Sequence, residues 1–573
     1  MNMKTVRFFA FFAVCVLVVL SAGCARKPEP ADLVLTNGKI VTVDEARPRA
    51  EALAVRGGKI VEVGTSKDIA RYTGPQTEVI DLGGKLATPG LIDSHLHFTG
   101  IGQAKLSLDL TKAKSWDDIV AMVAEAAKKA KPGEWIQGRG WHQEKWSARP
   151  EPNVDGLPYH DALSKVSPNN PVLLRHASGH SSLANAKAMA LARITAKTAD
   201  PAGGKVIRDP KGNPIGAFLE TAQVIVMFAQ SQSADSRTEE ERQAEREKVI
   251  ELAAAECLAK GLTSVHDAGT GWGTIELYQK MIDAGRLGVR LNVMLNAGNK
   301  VLAANVAKYK LLGYGNDHLT VRSIKRLIDG ALGSHGAWLL EPYADLPTST
   351  GLNTNPVEDL RETARIAIEN GFQLRVHAIG DRANSETLNI YEEAFKAHRD
   401  KKDTRWAVEH AQHISAADIP RFGSLGVIPA MQAVHCTSDG PWVLLRLGPA
   451  RAEEGAYVWR KLMNAGAVIA NGTDAPVEDV DPIPGFYAAV TRRMKNGEAF
   501  YPAQKMTREE ALRSYTLNGA YASFEEGTKG SLATGKWADV TVFSKDIMAC
   551  PEEEIPSARV VMTIVGGKVL FKQ

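Results

Sequence analysis

His95 and His97 stand one residue apart at the end of the apolar run 86–96. Side chains alternate faces along a strand, so residues two apart point the same way and both imidazoles can converge on one cation. Three more residues of suitable chemistry each close another apolar run: His377 in Arg375-Val376-His377-Ala378-Ile379-Gly380-Asp381, His410 in Trp406-Ala407-Val408-Glu409-His410, and Asp474 in Ile469-Ala470-Asn471-Gly472-Thr473-Asp474-Ala475-Pro476. A His-x-His pair alone is weak, but histidines and an aspartate recurring in one phase of successive strands point to a shared metal site. Imidazole and carboxylate suit a divalent ion such as zinc. Lys325, in Ser323-Ile324-Lys325-Arg326-Leu327-Ile328-Asp329-Gly330, is the sixth candidate. An ammonium cannot ligate, so its ordinary pKa of ~10.4 must first be lowered by burial or by nearby cations. The neutral amine can then take up carbon dioxide as a carbamate, a carboxylate-like bridge between two cations. Zinc lowers the pKa of bound water from about 15.7 to about 7, which predicts a hydroxide attacking a polarised substrate carbonyl. Asp474 is the expected proton carrier, because an amine leaves readily only once protonated.

These residues need a scaffold that gathers strand ends. Apolar β runs such as 371–377 alternate with helical stretches such as 358–369 and 384–398. Over residues 88–519 this predicts an α/β fold, a TIM (β/α)8 barrel with its functional residues at the C-terminal ends of the strands. Short strand–turn–strand groups occupy both ends of the chain, at 32–64 and at 538–570, punctuated by Asn37-Gly38, Gly57-Gly58 and Gly566-Gly567. Each is too small to stand alone, so 32–87 and 520–573 are expected to build one small β-sandwich. The stretch of about 131–251, with many Pro, Gly and Trp and a charged helix near 236–251, fits the alternation poorly. It reads as an insertion after the first barrel strand that covers the mouth.

At 573 residues the chain exceeds one simple core. Its net charge of +3, without long basic runs, argues against a nucleic-acid partner. Residues 1–24 read as a secretory leader: Lys4 and Arg7, the apolar run 8–20, then Ser21-Ala22-Gly23-Cys24. The run falls short of the ~20 residues that span a bilayer. The small residues before Cys24 resemble a bacterial lipobox, with Ser21 where Leu is usual. That resemblance implies a lipidated Cys24 that anchors an exported protein to a membrane of the cell envelope, periplasmic or outer surface, through the tether 25–31. A simply cleaved leader is the alternative. Cys257, Cys436 and Cys550 remain, odd in number and without a CxxC pair, which argues against a disulfide framework or a thiolate zinc site.

Five segments together resemble the metal-dependent amidohydrolase superfamily: Pro89-Gly90-Leu91-Ile92-Asp93-Ser94-His95-Leu96-His97, Asp329-Gly330-Ala331-Leu332-Gly333-Ser334, His377-Ala378-Ile379-Gly380-Asp381, Glu409-His410-Ala411 and Thr473-Asp474-Ala475-Pro476. The branch they resemble is amidohydrolase family 3, which includes N-substituted formamide deformylase-like enzymes. The resemblance runs from Asp32 to the C-terminus, and His335 departs from it where Arg is usual. It implies two zinc ions, the more buried held by His95, His97 and Asp474, the more exposed by His377 and His410, with carboxylated Lys325 bridging them. The segments 175–185 and 216–220 are similar to family stretches that bring His180 and Glu220 to the pocket. His180 is then a candidate catalytic residue stabilising an oxyanion, and Glu220 a substrate contact; fixing a loop and starting a helix are their structural alternatives. Trp141 and Trp146 are candidates for an apolar pocket wall, although large aromatics also simply pack. His435 is a further substrate-contact candidate, and His266 a structural one. The expectation is a zinc-dependent hydrolase cleaving a C–N bond of a small molecule, an amide or N-substituted formamide. Deamination or ester hydrolysis on the same scaffold, or a surface metal- or ligand-binding lipoprotein without turnover, are the alternatives. A homo-oligomer stays open.

Overall fold

The computed structural model describes residues 28–233 and 238–573. The leader, Cys24 and residues 25–27 of the tether lie outside the described residues. Eight parallel strands form the central barrel: β1 (Leu91–Leu96), β2 (Leu262–Thr270), β3 (Arg290–Leu295), β4 (Leu319–Leu327), β5 (Gln373–Ala378), β6 (Ala407–His410), β7 (Ile428–Met431) and β8 (Ala470–Asn471). They pair in sequence order from β1 to β8. Between β8 and β1 the ring nearly closes through the loop after β8: the Asp474 amide donates to the His95 carbonyl at 2.7 Å, and Thr473 donates through its amide and its hydroxyl to the Asp93 carboxylate. Helices cover the outside. Burial on both faces is why these strands read as continuous apolar runs rather than alternating ones, as in β1, where every residue is buried.

The sandwich uses both ends of the chain, as expected. One sheet runs Lys59–Gly64, Ala52–Arg56, Leu33–Thr36, Glu78–Asp81. The other places Val540–Phe543 antiparallel between Val560–Val565 and Leu86–Pro89. Leu35, Leu53, Val542 and Ile564 are buried between them. Leu86–Pro89 passes through Gly90 directly into β1, so the sandwich holds the strand that carries the His-x-His pair. A buried ion pair joins the two units: Arg290 of β3 donates to Asp539 from Nε at 2.8 Å and from Nη2 at 3.1 Å.

The insertion differs from its expected bounds. Its mixed six-stranded sheet already starts at Leu108–Asp109 and continues through Ile136–Trp141, Val172–His176 and Ser181–Ala184 to Pro214–Glu220 and Gly204–Arg208. The charged helix Glu239–Ala259 belongs to the barrel instead. It buries Val249, Ile250, Ala253, Ala254, Cys257 and Leu258 and leads straight into β2, while Arg242, Glu245 and Arg246 of its first half line a cavity under the inserted sheet. Among the described residues, no helix is long and apolar enough to cross a membrane.

Candidate metal centre and active site

The proposed ligands meet at the C-terminal mouth of the barrel. His95 is near the end of β1 and His97 just beyond it, His377 is near the end of β5, and His410 ends β6; Asp474 follows β8, and Lys325 lies inside β4. Ligand atoms of His95, His410 and Asp474, all buried, lie within 4.8 Å of one another. Asp474 Oδ1 is 3.5 Å from His95 Nε2 and 3.3 Å from His97 Nε2, so the two histidines do face one point. His97 is the open member, its side chain 43% exposed. The His377 ring lies 4.4 Å from that of His410.

The donor set fits a divalent cation. His95 Nε2, His377 Nε2 and Asp474 Oδ1 are buried and make no hydrogen bond, a costly state unless something binds them. The opposite nitrogens are held: His95 Nδ1 meets Glu409 Oε2, and His410 Nδ1 meets Gln432 Oε1 at 2.7 Å. Such contacts fix which nitrogen is left for a metal. Burial, reinforced by Lys325, lowers the His95 pKa to about 4, and burial puts His377 and His410 well below the ordinary histidine value. Against its own burial, the nearby His97 and the other surrounding imidazoles hold the Asp474 carboxyl well below the usual range. Neutral imidazoles around a carboxylate are the protonation state that metal binding requires. Burial brings Lys325 down to about 8, with Glu409 and Asp474 pulling it back up and Arg375 pushing it down.

Glu409 organises this set from behind. It also accepts from Arg375 Nε at 2.5 Å, and Arg375 Nη1 in turn lies 3.2 Å from His266 Nδ1; all three are buried. Asp93 accepts from the His95 amide at 3.0 Å and anchors Thr473, fixing two ligand loops at once. Asp329 accepts from the amides of Ile379, Gly380 and Trp338 and shapes the turn after His377. Burial raises both carboxyls to about 7. Glu409, Arg375, Asp93, Asp329 and Gln432 were not among the sequence candidates. Four of the five, all but Gln432, lie in segments already quoted, and Glu409 stands directly beside a ligand, which was the available signal. Three site residues adopt left-handed backbone: Glu220 (φ +50°), His410 (φ +75°) and Asp474 (φ +59°). Such strain in non-glycine residues gathers at functional sites.

His180 and Glu220 come together over the metal ligands. His180 Nδ1 lies 2.6 Å from Glu220 Oε2, and the His180 ring is 4.9 Å from that of His377. Burial opposes protonation of His180, but the Glu220 carboxylate outweighs it and raises the pKa. Gly330 and Gly336 leave room for that carboxylate; a Cβ at either would overlap it. His435 lines the pocket near His410, its ring nearly parallel at 6.4 Å, and His266 lies behind, against Arg375. Trp141 needs correction as a substrate contact. It is fully buried in the core of the inserted sheet beside Trp146, and its indole N–H donates to the Leu174 carbonyl at 3.0 Å. A ring whose polar edge is spent on the backbone and whose faces are covered packs rather than binds.

A nearly closed β/α barrel with a buried His/His/Asp metal-binding site at its mouth defines a metal-dependent hydrolase. The profile of the amidohydrolase family matches residues 78–571. The chain belongs to that family. It is 32% identical to the protein LONG AFTER FAR-RED 3 of Arabidopsis thaliana, over 94% of this chain and 92% of that one. It is 28% identical to the N-substituted formamide deformylase of Arthrobacter pascens, over 95% and 98%. Among solved structures it resembles an uncharacterized metal-dependent hydrolase from Pyrococcus horikoshii OT3, with a TM-score of 0.72 and 25% identity, over 91% of this chain and 99% of that one.

Proposed function

We propose that the protein is a zinc hydrolase that cleaves the C–N bond of a small amide or N-substituted formamide. The observation that carries this reading is the buried set of His95, His410 and Asp474, in which His95 Nε2 and Asp474 Oδ1 lack hydrogen bonds while Glu409 and Gln432 hold the Nδ1 atoms of the two histidines. Similarity to a formamide deformylase over nearly the whole chain supports the choice of bond. Zinc bound there supplies Lewis acidity that polarises the carbonyl and makes water a nucleophile near neutral pH.

The residues of the chain do the rest. Asp474, anionic and with Oδ1 facing His95 and His97, takes the proton of the attacking water and hands it to the departing nitrogen. His180, whose pKa the Glu220 carboxylate raises against its burial, donates to the oxygen on which negative charge develops, and the buried setting strengthens that contact. Glu409 and Gln432 keep His95 and His410 from rotating. Lys325, with its lowered pKa, is suited to carbamate formation, and His377 Nε2, without a hydrogen bond and 3.5 Å from Asp329 Oδ1, supports a second zinc ion beside the first.

The test pairs metal analysis with hydrolysis of a panel of N-formyl and N-acetyl amines. Asp474→Asn is expected to lower kcat by about 10²–10⁴, the range for loss of a general acid–base, with zinc still bound. Zinc binding without any turnover by the parent protein would refute the hydrolase reading in favour of a binding protein.

A further inference from the structure

Two arginines of the inserted sheet face the cavity on the His97 side, and neither is neutralised. Arg139 and Arg175 are register partners on adjacent parallel strands, so they share one face about 4.8 Å apart at the backbone. With His97, His180 and Glu220 they line a cavity beside the metal ligands. Arg139 sits between the loops that carry His180 and Asp474, donating from Nη2 to the Ala177 carbonyl at 3.0 Å and from Nε to the Pro476 carbonyl at 3.4 Å. Arg175 has less. Its Nη2 reaches only the weak acceptor Met227 Sδ, at 3.9 Å, and its buried Nε makes no hydrogen bond.

A guanidinium carries five N–H donors, so most of this pair's capacity is unused. Two carboxylates share the cavity: Glu220, which is engaged by His180, and Glu245, which stands with Arg242 and Arg246 on the helix Glu239–Ala259. Among the described residues, Asp474 is the carboxylate that Arg139 feels, and Arg175 feels none strongly enough to offset its burial. Two adjacent, partly buried like charges are unfavourable unless an anion joins them. The planar fork of a guanidinium matches a carboxylate in bidentate fashion.

We propose that Arg139 and Arg175 form a carboxylate-binding subsite, so that the substrate is an N-formyl or N-acyl amino acid whose carboxylate rests on this pair while its C–N bond lies at the metal centre. The substrate assignment rests on the hydrolase reading above; the subsite itself does not. The test uses the zinc-loaded full chain with N-formyl and N-acetyl amino acids, each matched to the amino alcohol that replaces the carboxylate with a hydroxymethyl group. The parent protein is expected to favour the acid at least tenfold in kcat/KM, mainly through KM. Arg139→Gln and Arg175→Gln should each shrink that ratio at least tenfold, and Arg175→Lys should retain part of it, with zinc content confirming that each variant is folded. A ratio near one in the parent, or variants that weaken acid and alcohol equally, would overturn the subsite. If neither compound is turned over, the hydrolase reading fails, and calorimetric titration with the same pairs decides. Acid binding at least tenfold tighter than alcohol, lost in Arg175→Gln, upholds the subsite; equal or absent binding overturns it.

Discussion

Glu409→Gln probes the least visible part of the site. The carboxylate sits between Arg375 and His95, and all three side chains are fully buried. The amide can accept from only one of the two, so one contact is lost whichever way it turns. If it stays on Arg375, His95 is released, and loss of a partner that orients a ligand costs about 10–100-fold in metal affinity, or about 1.4–2.8 kcal/mol at 1.4 kcal/mol per tenfold. In either orientation Arg375 loses its counter-charge, and a buried charge stripped of its partner costs about 3–5 kcal/mol of stability. The pH dependence adds a signature. Burial acts against ionisation of Glu409, but Arg375 and His95 hold its folded pKa well below the ordinary carboxylate range. Its stabilisation is therefore complete above the unfolded value and is lost as pH falls through the folded one. Acid destabilisation of the metal-free protein should be shallower in the variant. Zinc affinity from chelator competition, together with urea unfolding of the metal-free protein between pH 7 and pH 3, measures both effects. Unchanged zinc affinity with unchanged stability would refute the argument that Glu409 holds His95 and neutralises Arg375.

Other outcomes follow from the same geometry. Lys325→Ala should lower zinc content and activity together. Because Lys325 titrates at about 8, about a tenth of it is neutral at pH 7, so added bicarbonate during zinc loading should raise activity more at pH 8 than at pH 6.5, and not at all in the variant. Gly330→Ala drives a methyl into the Glu220 carboxylate and should lower kcat by up to the about 10²–10³ that loss of an oxyanion donor costs, with zinc content unchanged. If the leader is a lipoprotein signal, palmitate labelling of the full chain should depend on Cys24 and vanish in Cys24→Ser; a parent protein that takes up no label would point to a simply cleaved leader.

His95, His410 and Asp474 were legible because each sits at or just past a strand end, where residue type and strand phase alone place it. His95 and His97 follow from the two-residue period, and the barrel from runs buried on both faces. What the sequence hid is pairing at a distance. Glu409 and His95 are 314 residues apart, and nothing local marks them as partners. His410 also breaks the alternation that should send it away from Glu409, because its positive φ takes it out of the strand conformation. The start of the insertion was missed for a plainer reason. Its first strand is only Leu108–Asp109, and the next helix, Trp116–Ala127, carries an ordinary apolar face, so both read as barrel. The helix Glu239–Ala259 was misplaced because its first turns are charged, while the residues it buries are concentrated in its second half.

Leu86–Pro89 is bonded on one side to Val540–Phe543, and one residue later the same segment becomes the strand that bears His95. The metal centre is thus tied to chain synthesised some 450 residues later. A translating intermediate has every ligand in hand by Asp474, yet the segment that leads into the ligand-bearing strand lacks its antiparallel neighbour until residue 543 is available. Competence to retain an ion should therefore arise late and all at once, and the barrel excised from its two flanking arms should not serve as a minimal catalyst.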